Sequence, residues 1–290
     1  MRVLFHRRMP NEYTDLSRAA KTATSPLSVE QGPGSVWLRM NRPESANALS
    51  PDLIAAIDLA LTRTLSLPAI RGVVITGVGA VFSAGADLAV AEPMLAGNQT
   101  QRLAAYMEAA NDLLDRIEDY PMPVIAAVNG AAFAGGLELV LACDLAVAAA
   151  DAPIGDAHAR HGFVPAWGAS RRLPAALGPA SAKRLMLTGA TLTASDVPGM
   201  FASVVPSDRL EEEVHTLIGE ICVASPAAIT EIKRLLASDQ SNRAQQRRRE
   251  WEALERQLGT PDLAEGIAAF KAGRQPVFIQ PDRATQAGHS

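Results

Sequence analysis

Aromatic residues are scarce in this sequence: Phe, Trp and Tyr together make up 4% of 290 residues. So few rings argue against a stacking platform for single-stranded nucleic acid, and a net charge of −4 argues the same way. Cysteine is limited to Cys143 and Cys222, far apart and each in apolar surroundings. They read as two reduced core thiols rather than as a disulfide or a metal pair. The five histidines form no zinc-type spacing, so no metal site is expected. No apolar run is long enough to cross a bilayer. The opening MRVLFHRRMP has basic residues without the apolar core of a secretory signal. The expectation is a cytoplasmic protein with neither a membrane nor a nucleic-acid partner. What is present is ordinary for a globular chain, 48% apolar and 20% charged, and long enough for one large domain or one domain with an appended subdomain.

The densest local signal lies in residues 121–138, PMPVIAAVNGAAFAGGLE. An unbroken apolar run at 124–128 ends at Asn129-Gly130, and Gly135-Gly136 then opens a helical pattern over 137–142. This spacing predicts a buried strand, a turn and a helix. At Gly135 and Gly136 the missing side chain lets another group approach the backbone, where the first N–H groups of the helix have no intrahelical partner. Such donors can hold an anion or a polarised carbonyl, and Glu138, in the first turn, adds a carboxylate beside them. The same pattern also fits a glycine pair that only permits close packing, with Glu138 complementing the helix dipole.

Residues 1–24 are polar and aperiodic, which predicts a flexible leader. Two extended segments flanking Gln31-Gly32-Pro33-Gly34 read as a hairpin. After a loop over 41–49, Ser50 and Pro51 predict a helix start, with apolar residues at helical spacing up to about Pro68. Residues 71–76 read as a buried strand, and 77–88, GVGAVFSAGADL, as a small-residue loop along which something passes near Ser83 to Asp87, or as a plain strand-to-helix connection. A long amphipathic helix over 101–119 is stopped by Pro121 and Pro123, and 143–150 is another strand. Alternating strand and helix point to an α/β fold with right-handed crossovers. From 151 to 173 the pattern is irregular, with Asp156, His158, Arg160 and His161 clustered. Beyond it lie predicted helices over 180–188, 194–199, 208–224, 226–237, 242–258 and 262–272, with an extended piece at 202–205. Arg247 to Arg249 are followed by Glu250, Glu252 and Glu255, which reads as a solvated, salt-bridged helix face.

Taken together, NRPESANAL, VFSAGADL, NGAAFAGGLELVLACDLAVAAADAPIG and EGIAAFKAGRQPVF, in this order, resemble the enoyl-CoA hydratase/isomerase family, the crotonase superfamily, over roughly residues 25–279. The resemblance implies a spiral of ββα units over 25–205 and a helical trimerisation region over 206–290, assembled as a homotrimer or a dimer of trimers. It implies an acyl-CoA substrate, with coenzyme A entering as part of that substrate and no separate cofactor. By matching positions, the N–H groups of Ala86 and Gly135 form an oxyanion hole for the thioester enolate. Ser83, Ala84, Gly85, Asp87, Leu88 and Gly136 follow the CoA or acyl group, Phe270 lies near the nucleotide end, and Lys271 or Arg274 reaches a phosphate.

The chain departs from the family pattern in three places. Glu138 matches the first of two family glutamates, but where the family writes F-G-x-P-E this chain has Ile154-Gly155-Asp156-Ala157-His158, so histidine takes the place of the second. A carboxylate and an imidazole can share the proton transfers of hydration. Asp156, two residues away along an extended segment, is placed to orient His158 or to act as a base. His158 could also simply line the pocket, and Arg160 and His161 read as structural or solvent-facing. Trp167 stands in Pro165-Ala166-Trp167-Gly168, where P-G-x-G is common, and is expected to floor or narrow the acyl pocket or to fill core space. Gly273 replaces a basic residue. The leading expectation is an enoyl-CoA hydratase. The alternatives are a double-bond isomerase with Glu138 as its one base, a C–C hydrolase of β-diketones, and a non-catalytic acyl-CoA-binding member.

Overall fold

The computed structural model describes residues 25–278 except 98, 237–239 and 259, and the expected leader at 1–24 lies outside the described residues. The first elements form where local chemistry puts them. β1 (Leu27–Gly32) and β2 (Ser35–Met40) pair antiparallel around Pro33-Gly34, with Gly34 at φ 72°. Proline followed by a positive-φ residue is the sequence of a tight turn. α1 (Pro51–Thr64) opens with the Ser50 hydroxyl accepting the Leu53 N–H at 3.3 Å.

The chain then repeats one passage. β3 (Gly72–Gly77) and β4 (Val81–Ser83) lead to α2 (Leu88–Ala96) and α3 (Thr100–Asp119); β5 (Val124–Val128) and β6 (Ala131–Phe133) lead to α4 (Gly135–Ala142). β7 (Leu145–Ala149) and β8 (Pro153–Gly155) lead through a short helical turn, His158–His161, to α5 (Ala169–Thr188). β9 (Leu192–Thr193) and β10 (Ser203–Val205) close the series. Each passage adds one strand to each of two sheets, ordered β1-β2-β3-β5-β7-β10 and β4-β6-β8-β9. Only β1 with β2 and β8 with β9 pair antiparallel among these strands. The result is the expected α/β spiral of ββα units.

Strand alternation assigns the two faces of the larger sheet. Val73, Ile75, Val124, Ala126 and Val128 point into the main core with α1, α3 and α4, while Val74, Ile125, Ala127 and Val147 point to the other side. That second face is covered by Leu210, Val214, Ile218 and Ile221 of α6 (Leu210–Val223). Because both faces are covered, the central strands read as unbroken apolar runs.

Helices α7 (Pro226–Leu236), α8 (Gln240–Leu258) and α9 (Pro261–Lys271) follow α6. Ile232, Leu235 and Leu236 of α7 are exposed, the latter two at 83% and 80%. Three local expectations need correction. The expected helix at 194–199 is two three-residue turns, 194–196 and 198–200, because Pro198 holds Val197 out of the helical region at φ −130°. The helix expected at 180–188 is the second half of α5, which is interrupted at Gly178 and begins at Ala169, inside the stretch that reads as irregular. The arginines of α8 are only partly self-paired. Arg248 meets Glu252, but Arg247 pairs with Asp112 and Asp115 of α3, and Glu250 is turned inward. Cys143 and Cys222 are free and partly buried. Among the described residues no helix is long and apolar enough to cross a membrane.

Candidate active site

Three segments far apart in sequence meet because they leave the same ends of three neighbouring strands. β4 pairs parallel with β6, and β6 with β8. Their exits, Ala84 to Asp87, Ala134 to Gly135 and Asp156 to His158, therefore stand side by side where ligands settle in parallel sheets. All three reach a cavity of about 590 Å³, whose wall includes Ala86, Gly135, Glu138, His158, Trp167 and Phe270.

Two main-chain amides on this wall are unpaired. The Gly85 carbonyl accepts the Leu49 N–H at 2.8 Å, so across the trans peptide the Ala86 N–H points away from Leu49. Gly135 is the first residue of α4, whose N–H has no intrahelical acceptor. Among the described residues neither amide donates to another protein atom. Packing around them tolerates nothing larger than hydrogen. A Cβ on Gly85, which sits at φ 96°, would come 2.6 Å from the Gly135 nitrogen, and one on Gly135 would come 2.2 Å from Cζ3 of Trp167. Ala134, between β6 and α4, holds φ 47° and ψ −120° without being glycine, a costly conformation of the kind found where a site imposes it.

Glu138 is 1% exposed. Its Oε1 accepts the N–H groups of Trp167 at 2.9 Å and Ala169 at 3.0 Å, which leaves Oε2 facing Nε2 of His158 at 3.9 Å. That gap exceeds a hydrogen bond but lets one water at about 2.8 Å touch both groups. Nδ1 of His158 lies 3.1 Å from Oδ1 of Asp156. A carboxylate only accepts, so in the neutral imidazole this contact assigns the proton to Nδ1 and leaves the Nε2 lone pair towards Glu138. Asp156 and His158 do come together, but not along an extended segment. Ala157 adopts the left-handed region at φ 56° and His158 begins a helical turn, which folds the two side chains onto each other.

Burial pushes the Glu138 carboxyl up to about 7; the His158 charge opposes this and Glu250 reinforces it. Burial alone would lower the His158 imidazole, but the Asp156 hydrogen bond and the negative charge of Glu138 outweigh it and hold it above its usual value. A carboxyl raised to about 7 beside an imidazole is a pair of the kind that general acid–base chemistry near neutrality needs.

The other expected site residues divide. Ala84, Asp87, Leu88, Trp167 and Phe270 line the cavity. Asp87 does so with its carboxylate already held by Arg42 at 2.8 Å and capping α2 through the Ala89 N–H. Trp167 is buried, edge-on to Tyr106 at 6.0 Å. Ser83 and Gly136 lie behind the wall: the Ser83 hydroxyl donates to Asn47 O at 2.9 Å, and a Cβ on Gly136 would strike the Ser83 carbonyl. Gly85 is likewise packed behind it. Arg274 is outside the cavity, its guanidinium clasping Glu265, and Lys271 pairs with Glu92 at 2.6 Å beside a separate hollow between α2, α3 and α9. His161 is half-buried and lines the cavity with its ring against Phe270 at 5.6 Å, and the exposed Arg160 lines it too.

Sequence reading missed Glu250. It is 4% exposed and accepts the N–H groups of Gly168 at 2.8 Å and Ser170 at 3.2 Å. The available signal was the helical spacing of Trp251, Leu254 and Leu258, which marks an inward face of α8 bordering Glu250.

Comparison with known proteins identifies the family. Residues 31–281 match the family model for enoyl-CoA hydratase/isomerase. A putative enoyl-CoA hydratase of Thermus thermophilus is 36% identical, the match covering 87% of this chain and all of the relative. A crotonyl-CoA hydratase of Syntrophomonas wolfei is 33% identical over 83% of this chain and 93% of its own. The crystal structure of an enoyl-CoA hydratase from Mycobacterium avium subsp. paratuberculosis superposes with a TM-score of 0.77 at 28% identity, covering 89% of this chain and all of that one. By the family match, these relatives and the shared fold, the chain belongs to the enoyl-CoA hydratase/isomerase family of enzymes, the crotonase superfamily.

Proposed function

We propose that this enzyme adds water to the 2,3-double bond of an enoyl-CoA, or removes it in reverse. The observation that carries the reading is the pair Glu138 and His158, facing each other across 3.9 Å on the wall that also presents the free amides of Ala86 and Gly135. Those amides receive the thioester oxygen, which gains negative charge as the hydroxyl of water adds to the β-carbon. Donors fixed beforehand stabilise that charge more than the ground state. The Glu138–His158 pair takes the proton that water releases and returns one to the α-carbon, so the product is the 3-hydroxyacyl thioester. Coenzyme A enters with the substrate, and no separate cofactor takes part. The test is loss of the conjugated thioester absorbance with crotonyl-CoA and a series of longer 2-enoyl-CoA substrates. No turnover across the series overturns the reading, and conversion of a 3-enoyl-CoA to its 2-enoyl isomer without hydration replaces it with isomerisation.

A second reading rests on the Asp156–His158 hydrogen bond at 3.1 Å. An imidazole oriented by a carboxylate can activate water against a carbonyl, after which the adjacent C–C bond of a β-diketone breaks and the released enolate is protonated. Tight binding of CoA counts against it.

The pH dependence separates the two groups. Glu138 must be ionised to accept a proton, and its affinity is raised to about 7, so the rate is expected to fall as pH drops through that value. His158→Gln removes the positive charge that lowers the Glu138 proton affinity, so the acid limb is expected to move to higher pH. An unmoved limb means that the His158 charge does not act on Glu138. The exposed apolar residues of α7 support assembly as a homotrimer or dimer of trimers, and light scattering is expected to give a multiple of three chains.

A further inference from the structure

Four successive main-chain amides enter α5, and two carboxylates share them alternately. Glu138 Oε1 accepts from Trp167 and Ala169, and Glu250 accepts from Gly168 through Oε2 and from Ser170 through Oε1. The Ser170 hydroxyl also donates to Glu250, and Gln246, one turn earlier on α8, donates to that hydroxyl. Gly168 has no side chain to cap these amides, and the two carboxylates take them instead. Glu250 is absent from the cavity wall. Among the described residues its carboxylate is hydrogen-bonded by the turn that orients Glu138, with the guanidinium of Arg172 as the neighbouring positive charge. Arg172 in turn donates to the Trp167 carbonyl at 2.6 Å and pairs with Glu118 of α3, so the turn is gripped from α3, α4 and α8 at once.

We propose that Glu250 is a positioning residue: by holding the Gly168 and Ser170 amides it fixes the Trp167 and Ala169 amides on Glu138 Oε1 and so keeps Oε2 turned to His158. The inference rests on the proton-transfer reading of Glu138 given above. If the Gly168 and Ser170 amides lose their acceptor, the turn can rotate, and Glu138 either loses a donor or presents its other oxygen. Displacements of about 1 Å in a catalytic group cost up to roughly 10²-fold in rate.

The test compares Glu250→Ala and Glu250→Gln with the unchanged enzyme, using crotonyl-CoA kinetics across pH and amide hydrogen exchange of the peptide spanning 165–172. Expected for Glu250→Ala is a fall in kcat of roughly tenfold to 10²-fold, with KM changing less than kcat because Glu250 itself does not line the cavity, and faster exchange at Trp167 and Ala169. Glu250→Gln keeps one oxygen for Ser170 but sets an NH₂ against the Gly168 N–H, so an intermediate kcat is expected. Glu138 faces His158 and Asp156 from the β8 exit and Glu250 from α8; removal of the Glu250 charge is therefore expected to move the acid limb to lower pH, opposite in sign to His158→Gln. An unchanged kcat and pH limb in Glu250→Ala, or exchange at 165–172 no faster than in the unchanged enzyme, overturns the proposal. If Glu250→Ala does not fold, the isosteric Glu250→Gln decides by the same limb shift and exchange. Absence of turnover in the unchanged enzyme rejects the hydratase reading alone, and the exchange measurement still decides whether Glu250 holds the turn.

Discussion

Glu138→Gln is expected to lower kcat for enoyl-CoA hydration by about 10²- to 10⁴-fold, the range typical for loss of a general acid–base group, with the fold intact. Glutamine is the informative choice because of how Glu138 is held. One oxygen of the carboxylate accepts two amides, from Trp167 and Ala169, and the amide oxygen of glutamine can accept both. What changes is the atom facing His158: an NH₂ group, which cannot accept a proton, replaces Oε2. Alanine would also strip the start of α5 of its acceptor and leave two buried N–H groups unpaired, at about 1–3 kcal/mol each, so a loss of activity there would mix chemistry with stability. The measurement is steady-state hydration of crotonyl-CoA beside circular dichroism and a thermal melt. A well-folded Glu138→Gln enzyme within about tenfold of the original rate assigns the proton transfers to other groups.

Gly85→Ala is the second large effect. Gly85 is not on the cavity wall, yet two constraints meet on it. Its backbone lies at φ 96°, where a side chain is strained by about 1–3 kcal/mol, and its added Cβ would stand 2.6 Å from the nitrogen of Gly135. Relief requires β4 and α4 to separate or the Gly135 amide to rotate, and either displaces the donor we propose for the thioester oxygen. Loss of one such donor costs about 10²- to 10³-fold in kcat, and that is the expected fall. Gly79→Ala is the control. Gly79 also has positive φ, 85°, but its added Cβ meets only Pro43 at 3.4 Å and the position is not on the cavity wall. Gly79→Ala is therefore expected to lower the melting temperature while each folded molecule keeps its rate. Equal loss of rate in the two variants would mean that backbone strain, not the Gly135 amide, governs activity.

How much of this site was legible beforehand differs by residue. Gly135 and Glu138 announce themselves locally, as a glycine pair and a carboxylate in the first turn of a helix that follows a buried strand. Ala86 carries no such mark; an alanine amide becomes a donor only because Leu49 takes the neighbouring carbonyl and turns the peptide over. His158 and Asp156 were readable as a pair, but for the wrong reason: a left-handed Ala157, not an extended segment, brings them together. Ser83, Gly136 and Arg274 were expected at the ligand from the family resemblance, and none of them lines the cavity. The first two instead pack β4 against α4, and Arg274 is turned to Glu265.

From the amino-acid order alone came the hairpin at Pro33-Gly34, the start of α1 at Ser50, the amphipathic α3 and the buried apolar strands, since caps, turns and periodicity act over a few neighbouring residues. The motifs that mark the family are equally short. The tertiary structure alone decided that β4, β6 and β8 lie next to one another, that α5 begins at Ala169, and that a glutamate from α8 reaches the turn holding Glu138. These rest on contacts between residues some 20 to 80 positions apart. Local periodicity carries no record of such contacts, because the same strand pattern is satisfied in any sheet order and the same helix face by any partner that buries it.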